Sequence, residues 1–120
     1  MENKIKTIRD LKVWQKGIKL VKATYKVTEN FPGGEQYGLV SQMRRSAVSI
    51  PSNIAEGFRR KHSKEYKQFL GIALGSSAEL ETQIVIAREL NYMNEKAEKD
   101  LMELLNHTCG MIVNLNKKIM

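Results

Sequence analysis

The side chains best equipped for chemistry crowd into one stretch, Arg44-Arg45-Ser46-Ala47-Val48-Ser49-Ile50-Pro51-Ser52-Asn53-Ile54-Ala55-Glu56-Gly57. Two guanidinium groups, three hydroxyls and an amide share it with an apolar side. Gly71, Gly75, Ser76, Ser77, Ala78, Glu79 and Glu81 form a second cluster of small and acidic residues. If the chain turns back around His62, Arg45 and Glu79 each lie seventeen residues from the turn and share a level. An ion pair of Arg44 or Arg45 with Glu79 is the expectation, with small residues letting the two backbones approach. A carboxylate beside a guanidinium keeps a low pKa, which suits holding structure or gripping an anion better than proton transfer near neutrality. His62 falls in the turn and His107 on a later segment, so neither joins the cluster. Structural pairing leads this reading, an anion site comes second and catalysis third.

Other reactive residues are scattered. Di-iron bundles need Glu-x-x-His on two helices, whereas Glu103 and His107 are four apart with no second copy. Cys109 is the single cysteine, which excludes an intramolecular disulfide, a cysteine zinc site and covalent haem. It reads as a small core residue. Gly71-x-x-x-Gly75 lacks the Lys-Ser/Thr of a phosphate loop. No metal, cofactor or catalytic residue is expected.

Basic residues supply the remaining candidate. Lys12, Lys16, Lys19, Lys22 and Lys26 fall within about 120° of one another on a helical wheel, opposite Trp14, Ile18, Val21 and Tyr25. Such a ridge either keeps a helix solvated or contacts phosphates. Arg59, Arg60 and Lys61 form a second basic group, where a helix C-terminus already favours cations. Aromatic residues free to stack on bases are few, Phe58 and Tyr37 being the candidates.

Four helical segments must position these groups, at about residues 11–30, 38–60, 64–90 and 95–118. The first carries Leu11, Trp14, Ile18, Val21 and Tyr25 at spacings of three and four, which marks a core stripe. Val13, Leu20 and Val27 lie beside it and read as a subunit contact. Leu39, Met43, Ala47, Ile50 and Ile54 mark the second, where Pro51 predicts a kink or local break. Tyr66, Leu70, Ala73, Ser77, Leu80, Ile84 and Ala87 repeat in a strict four-three alternation, the seam of a bundle. Ala97, Leu101, Leu104, Thr108, Ile112, Leu115 and Ile119 mark the fourth. Asp10, Ser63 and Asn94 are the expected N-caps. The fold class is therefore all-α, an antiparallel up-down-up-down four-helix bundle forming one domain over residues 1–120.

Composition agrees with one folded domain: 120 residues, 42% hydrophobic and 28% charged. By mass scaling such a chain exposes roughly 6,600 Å² once folded. Twenty Lys and Arg against thirteen Asp and Glu give +7, which points to an anionic partner. The excess has an address. Residues 1–62 carry +8 and residues 63–120 carry −1. No apolar run approaches a membrane span and the N-terminus has no signal-peptide pattern, so a cytoplasmic protein without membrane contact is expected.

Several blocks together resemble one family. Asp10-Leu-Lys-Val-Trp-Gln-Lys, Phe31-Pro32, Tyr37-Gly38-Leu39, the long run from Gln42 to Gly57, and Gly75-Ser76-x-x-Glu79-Leu80-Glu81 are similar to the four-helix bundles named for 23S rRNA intervening-sequence proteins. The accessory variability determinant of diversity-generating retroelements is a relative in that family. The resemblance spans residues 8–118 and implies a homopentamer, a basic surface, binding of RNA or of a nucleic-acid enzyme, and no enzymatic activity. The family's name refers to gene location and implies no ribosomal role. Asn91 stands where a Leu-Gly-Tyr turn would have glycine, a left-handed position that asparagine tolerates. The functional expectation is a homo-oligomeric module binding RNA or DNA backbone, the alternative a scaffold that docks an acidic or nucleic-acid-handling protein.

Overall fold

The structure is a computed structural model and describes residues 5–120. A single 3-10 turn, Ile8–Asp10, precedes α1 (Lys12–Thr28); a second, Gly33–Glu35, precedes α2 (Leu39–Phe58). Then follow α3 (Ser63–Glu89) and α4 (Glu95–Lys118), with no strand among the described residues. Each helix packs on its neighbours in sequence, and α1 meets α4 to close a four-helix bundle. Gly17 lies against Pro51 and Arg44 against Tyr25, so α1 and α2 run antiparallel. The α1–α2 and α3–α4 connections meet at one end: Phe31 tilts on Tyr92 at 5.5 Å, and the Tyr92 hydroxyl donates to Glu35 Oε2 at 2.9 Å. Glu35 Oε1 also accepts the Leu39 N–H, tying that junction to the start of α2.

Helix ends follow backbone needs. Asn94 caps α4, its side-chain oxygen accepting the Ala97 N–H at 2.8 Å. Asn91 adopts φ 63° after α3, the only left-handed non-glycine among the described residues. The Asn91 N–H donates to Arg88 O and the Tyr92 N–H to Ala87 O, the paired bonds of a Schellman turn. Two other expected caps are corrected. Asp10 does not cap α1; its carboxylate reaches back to the Lys6 and Thr7 N–H groups and closes a capping box with Thr7. Ser63 is the first helical residue of α3 and His62 holds the cap position without a side-chain bond.

The seams of α2 and α3 lie inside: Met43, Ala47, Ile50 and Ile54 face Leu70, Ala73, Leu80, Ile84 and Ala87, all fully buried. On α4 the deepest residues are Leu101, Leu105, Thr108 and Ile112, with Leu104 displaced to the flank. Helix α1 is rotated from its expected orientation: of the expected stripe Leu11 is buried and Trp14 and Val21 are half-buried against the core. Val13 and Leu20 are in the core with Gly17, Thr24 and Thr28, while Ile18 and Tyr25 are exposed. Val13 and Leu20 therefore have no surface left for a subunit contact, and half-buried Val27 packs against the same core. The reason is polar satisfaction within the helix. Thr24 Oγ1 donates to Leu20 O and Thr28 Oγ1 to Thr24 O, each at 2.8 Å, so these threonines are buried at little cost.

Backbones approach most closely at two glycines. A Cβ on Gly17 would sit 3.1 Å from the Pro51 Cβ, and one on Gly57 would sit 3.0 Å from Tyr66 Cδ1 and Phe69 Cβ. Gly71 and Gly75, expected to serve this purpose, face open space. α2 runs unbroken through Pro51, so the chain tolerates the loss of one bond to Ala47 without the local break that proline allows. Among the described residues α3 is the one helix long and apolar enough, by length and composition, to cross a membrane. In the bundle its seam is core, while Ile72, Val85, Ile86 and Leu90 stay exposed. The protein measures 47 × 28 × 20 Å and exposes 7837 Å². That exceeds the roughly 6,600 Å² expected from mass, because a rod carries more surface than a sphere.

Candidate functional site

Five lysines and no carboxylate occur between Lys12 and Thr28. Lys12, Lys19, Lys22 and Lys26 are exposed, and Lys16 is half-buried at the edge of the core face. None has a carboxylate within 4 Å among the described residues. Three cations elsewhere, Arg60, Arg88 and Lys96, do have a carboxylate within 4 Å. Lys96 bonds Asp100 at 2.7 Å, which raises its pKa above the usual lysine value, and Arg88 faces Glu98 at 3.5 Å. Arg60, one of the second basic group, bonds Glu56 at 2.7 Å, lies 3.9 Å from Glu65 and covers the Phe69 ring. Arg59 and Lys61 beside it are exposed.

The expected Arg44/Arg45–Glu79 ion pair does not form. Arg44 turns toward α1, where its Nε donates to Thr28 Oγ1 at 3.0 Å and its Nη2 to Tyr25 O at 3.3 Å. Its guanidinium carbon lies 4.4 Å from the centre of the Tyr25 ring. Arg45 and Glu79 do share a groove between α2 and α3 with Ser46 and Gln83, but stand more than 4 Å apart. The level was right and the partner was not. Ser49 and Ser76 bridge the helices instead through their hydroxyls at 2.7 Å, with Asn53 donating to Ser49 O and Oγ.

Two features escape a reading by apolar spacing. One is an open cleft of about 520 Å³ between the end of α1 and the start of α2, lined by Tyr25, Gln36, Tyr37, Ser41, Arg44 and Arg45 among others. Its residues come from three segments, and only the antiparallel return of α2 assembles them. Tyr37 is 96% exposed there, while Phe58 is half-buried and edge-on to Tyr66. The other is a cleft of about 590 Å³ between α1 and α4, with Val27, Leu101 and Leu104 below and Lys26 and Asn30 at its edge. Among the described residues no three His, Cys, Asp or Glu groups gather as metal ligands. His107 is exposed and Cys109 half-buried against the core.

The family model described as 23S rRNA-intervening sequence protein matches residues 9–114. A crystal structure of a protein with unknown function from the S23 ribosomal protein family of Bacteroides thetaiotaomicron VPI-5482 has a similar fold. Its TM-score is 0.79 at 19% identity, over 88% of this chain and 99% of that one. No curated protein matches.

Proposed function

The chain belongs to the 23S rRNA-intervening sequence protein family, and from that premise we propose a non-enzymatic, homo-oligomeric protein that binds the backbone of RNA or DNA through α1. The supporting observation is the lysine ridge itself, four exposed cations on a helix without a single acid and, among the described residues, with no carboxylate within 4 Å. Unpaired cations at helical spacing attract phosphates and release counterions, giving affinity without sequence preference. A solvated face would more commonly intersperse both signs.

The homo-oligomer, a pentamer by family likeness, draws support from α3. Ile72, Ile86 and Leu90 are 49%, 42% and 51% exposed, and open Gly71 and Gly75 lie on the same helix. A surface of that kind suits a second copy better than water. Stacking copies also pools the positive charge of α1 and α2.

Salt dependence tests the nucleic-acid reading. Affinity for short RNA and DNA should fall linearly on a log–log plot against salt, and Lys19→Glu with Lys26→Glu should flatten the slope. Absence of binding at low salt sinks the reading. Partner proteins that survive nuclease treatment would favour the scaffold alternative.

A further inference from the structure

We infer that the cleft between Tyr25 and Tyr37 receives an unpaired nucleobase, so that the nucleic acid held by α1 is single-stranded. The inference rests on the backbone-binding reading and adds the class of strand. Tyr37 presents almost its entire side chain to solvent, although an exposed tyrosine there stabilises nothing within the bundle. Tyr25 is 41% exposed across the same cleft, with one ring face held by Arg44 at 4.4 Å. An immobilised ring beside a free one is a stacking platform, and base stacking on aromatic side chains tolerates any sequence.

The charges around the rings fit the same occupant. Arg45 lines the cleft with no carboxylate within 4 Å among the described residues, free to meet a phosphate or stack on a base. Gln36 and Ser41 add donors and acceptors that can meet a base edge. Two lysines of the ridge border the site: Lys22 and Lys26 line a groove with Tyr25 and Glu29, while Lys12, Lys16 and Lys19 lie farther round α1. A backbone held by Lys22 and Lys26 lies beside the Tyr25 ring. The volume of about 520 Å³ lies in the range of small-ligand sites, roughly 300–1,000 Å³. Duplex bases, stacked and paired inside the helix, cannot enter such a cleft without extrusion.

A charge ridge alone favours a duplex, whose phosphate density is higher than that of a single strand. The inference demands the reverse order. Fluorescence anisotropy at low salt with the full chain would compare a short single-stranded RNA, single-stranded DNA of the same sequence, and the duplex of each. Wild type should bind one or both single strands more tightly than the matching duplex, and the RNA and DNA arms identify which strand the cleft takes. Tyr37→Ala, at a fully solvated side chain, should lower single-strand affinity about tenfold and leave duplex affinity unchanged. Tyr37→Phe, which keeps the ring, should restore it. Equal or weaker binding of single strands by wild type overturns the inference while leaving the ridge standing, as does a Tyr37→Ala variant with unaltered single-strand binding. Loss of all binding at low salt removes both readings together.

Discussion

Arg44 lies over the Tyr25 ring, its guanidinium carbon 4.4 Å from the ring centre, and so joins α2 to α1. The same side chain donates to Thr28 Oγ1 at 3.0 Å. A planar guanidinium can stack and donate at once, which an ammonium cannot. Arg44→Lys should therefore lower unfolding stability by about 1 kcal/mol despite conserving charge. Glu79→Gln should change it by less than about 0.5 kcal/mol, because Glu79 has no cation within 4 Å among the described residues. Urea titration followed by circular dichroism separates the two; a large loss for Glu79→Gln would restore the ion pair to this site.

The glycines divide by environment. Gly57→Ala would force a methyl to 3.0 Å from Tyr66 Cδ1 and 3.1 Å from the Tyr66 carbonyl oxygen. Overpacking of this kind costs about 1–3 kcal/mol. Gly71→Ala and Gly75→Ala meet open space on an exposed helical surface and should each stabilise by about 0.5–1 kcal/mol. Melting temperatures that move the same way for all three would contradict the packing described here.

At the end of α3, Asn91 sits at φ 63° with two backbone bonds closing the turn. Asn91→Gly should raise stability by up to about 1 kcal/mol, since glycine reaches this region without a Cβ penalty. Asn91→Ala should cost about 1 kcal/mol. Both are measurable by chemical denaturation, and equal stability of the two variants would refute a left-handed turn.

Two titrations are linked to local structure. The Asp10 carboxylate accepts the Thr7 and Lys6 N–H groups, which lowers its pKa below the ordinary 3.8. A depressed folded value means its contribution is present above 3.8 and fades as pH falls through the folded pKa. Tyr92 is shifted upward from 10.0, chiefly because its hydroxyl donates to Glu35. A raised folded value means that contribution is present below 10.0 and is lost as pH rises through the folded pKa. Tyr92→Phe should therefore weaken the fall in stability at alkaline pH, and Asp10→Asn the fall at acid pH. Thermal melts across pH would show both, and unchanged alkaline behaviour in Tyr92→Phe would sever the Glu35 link.

The exposed α3 surface offers a check on assembly. Ile86→Lys, at a 42% exposed position, should shift sedimentation toward smaller species without unfolding the chain. An unchanged sedimentation coefficient would overturn the proposed subunit contact through α3.

Periodicity made the α2 and α3 seams legible, because their inward positions are apolar or small at every three-four step from Leu39 to Ile54 and from Leu70 to Ala87. Asn94 and Asn91 were legible too, since each satisfies backbone groups of its own immediate neighbourhood. Such local chemistry needs no knowledge of a neighbouring helix. Four helices, two of their core faces and the basic character of α1 thus follow from residue spacing and local chemistry alone.

Tertiary structure decided the rest. Two strips on α1 were both apolar, and only packing showed that Val13 and Leu20 turn inward while Ile18 and Tyr25 turn out. The deciding residues, Gly17 against Pro51 and self-satisfied Thr24 and Thr28, carry no hydrophobic signal. That rotation brings Tyr25 beside Arg44 and opposite Tyr37, residues up to nineteen positions apart. Spacing along one helix cannot say which side chain a second helix will meet, because the crossing is set by how closely two backbones pack.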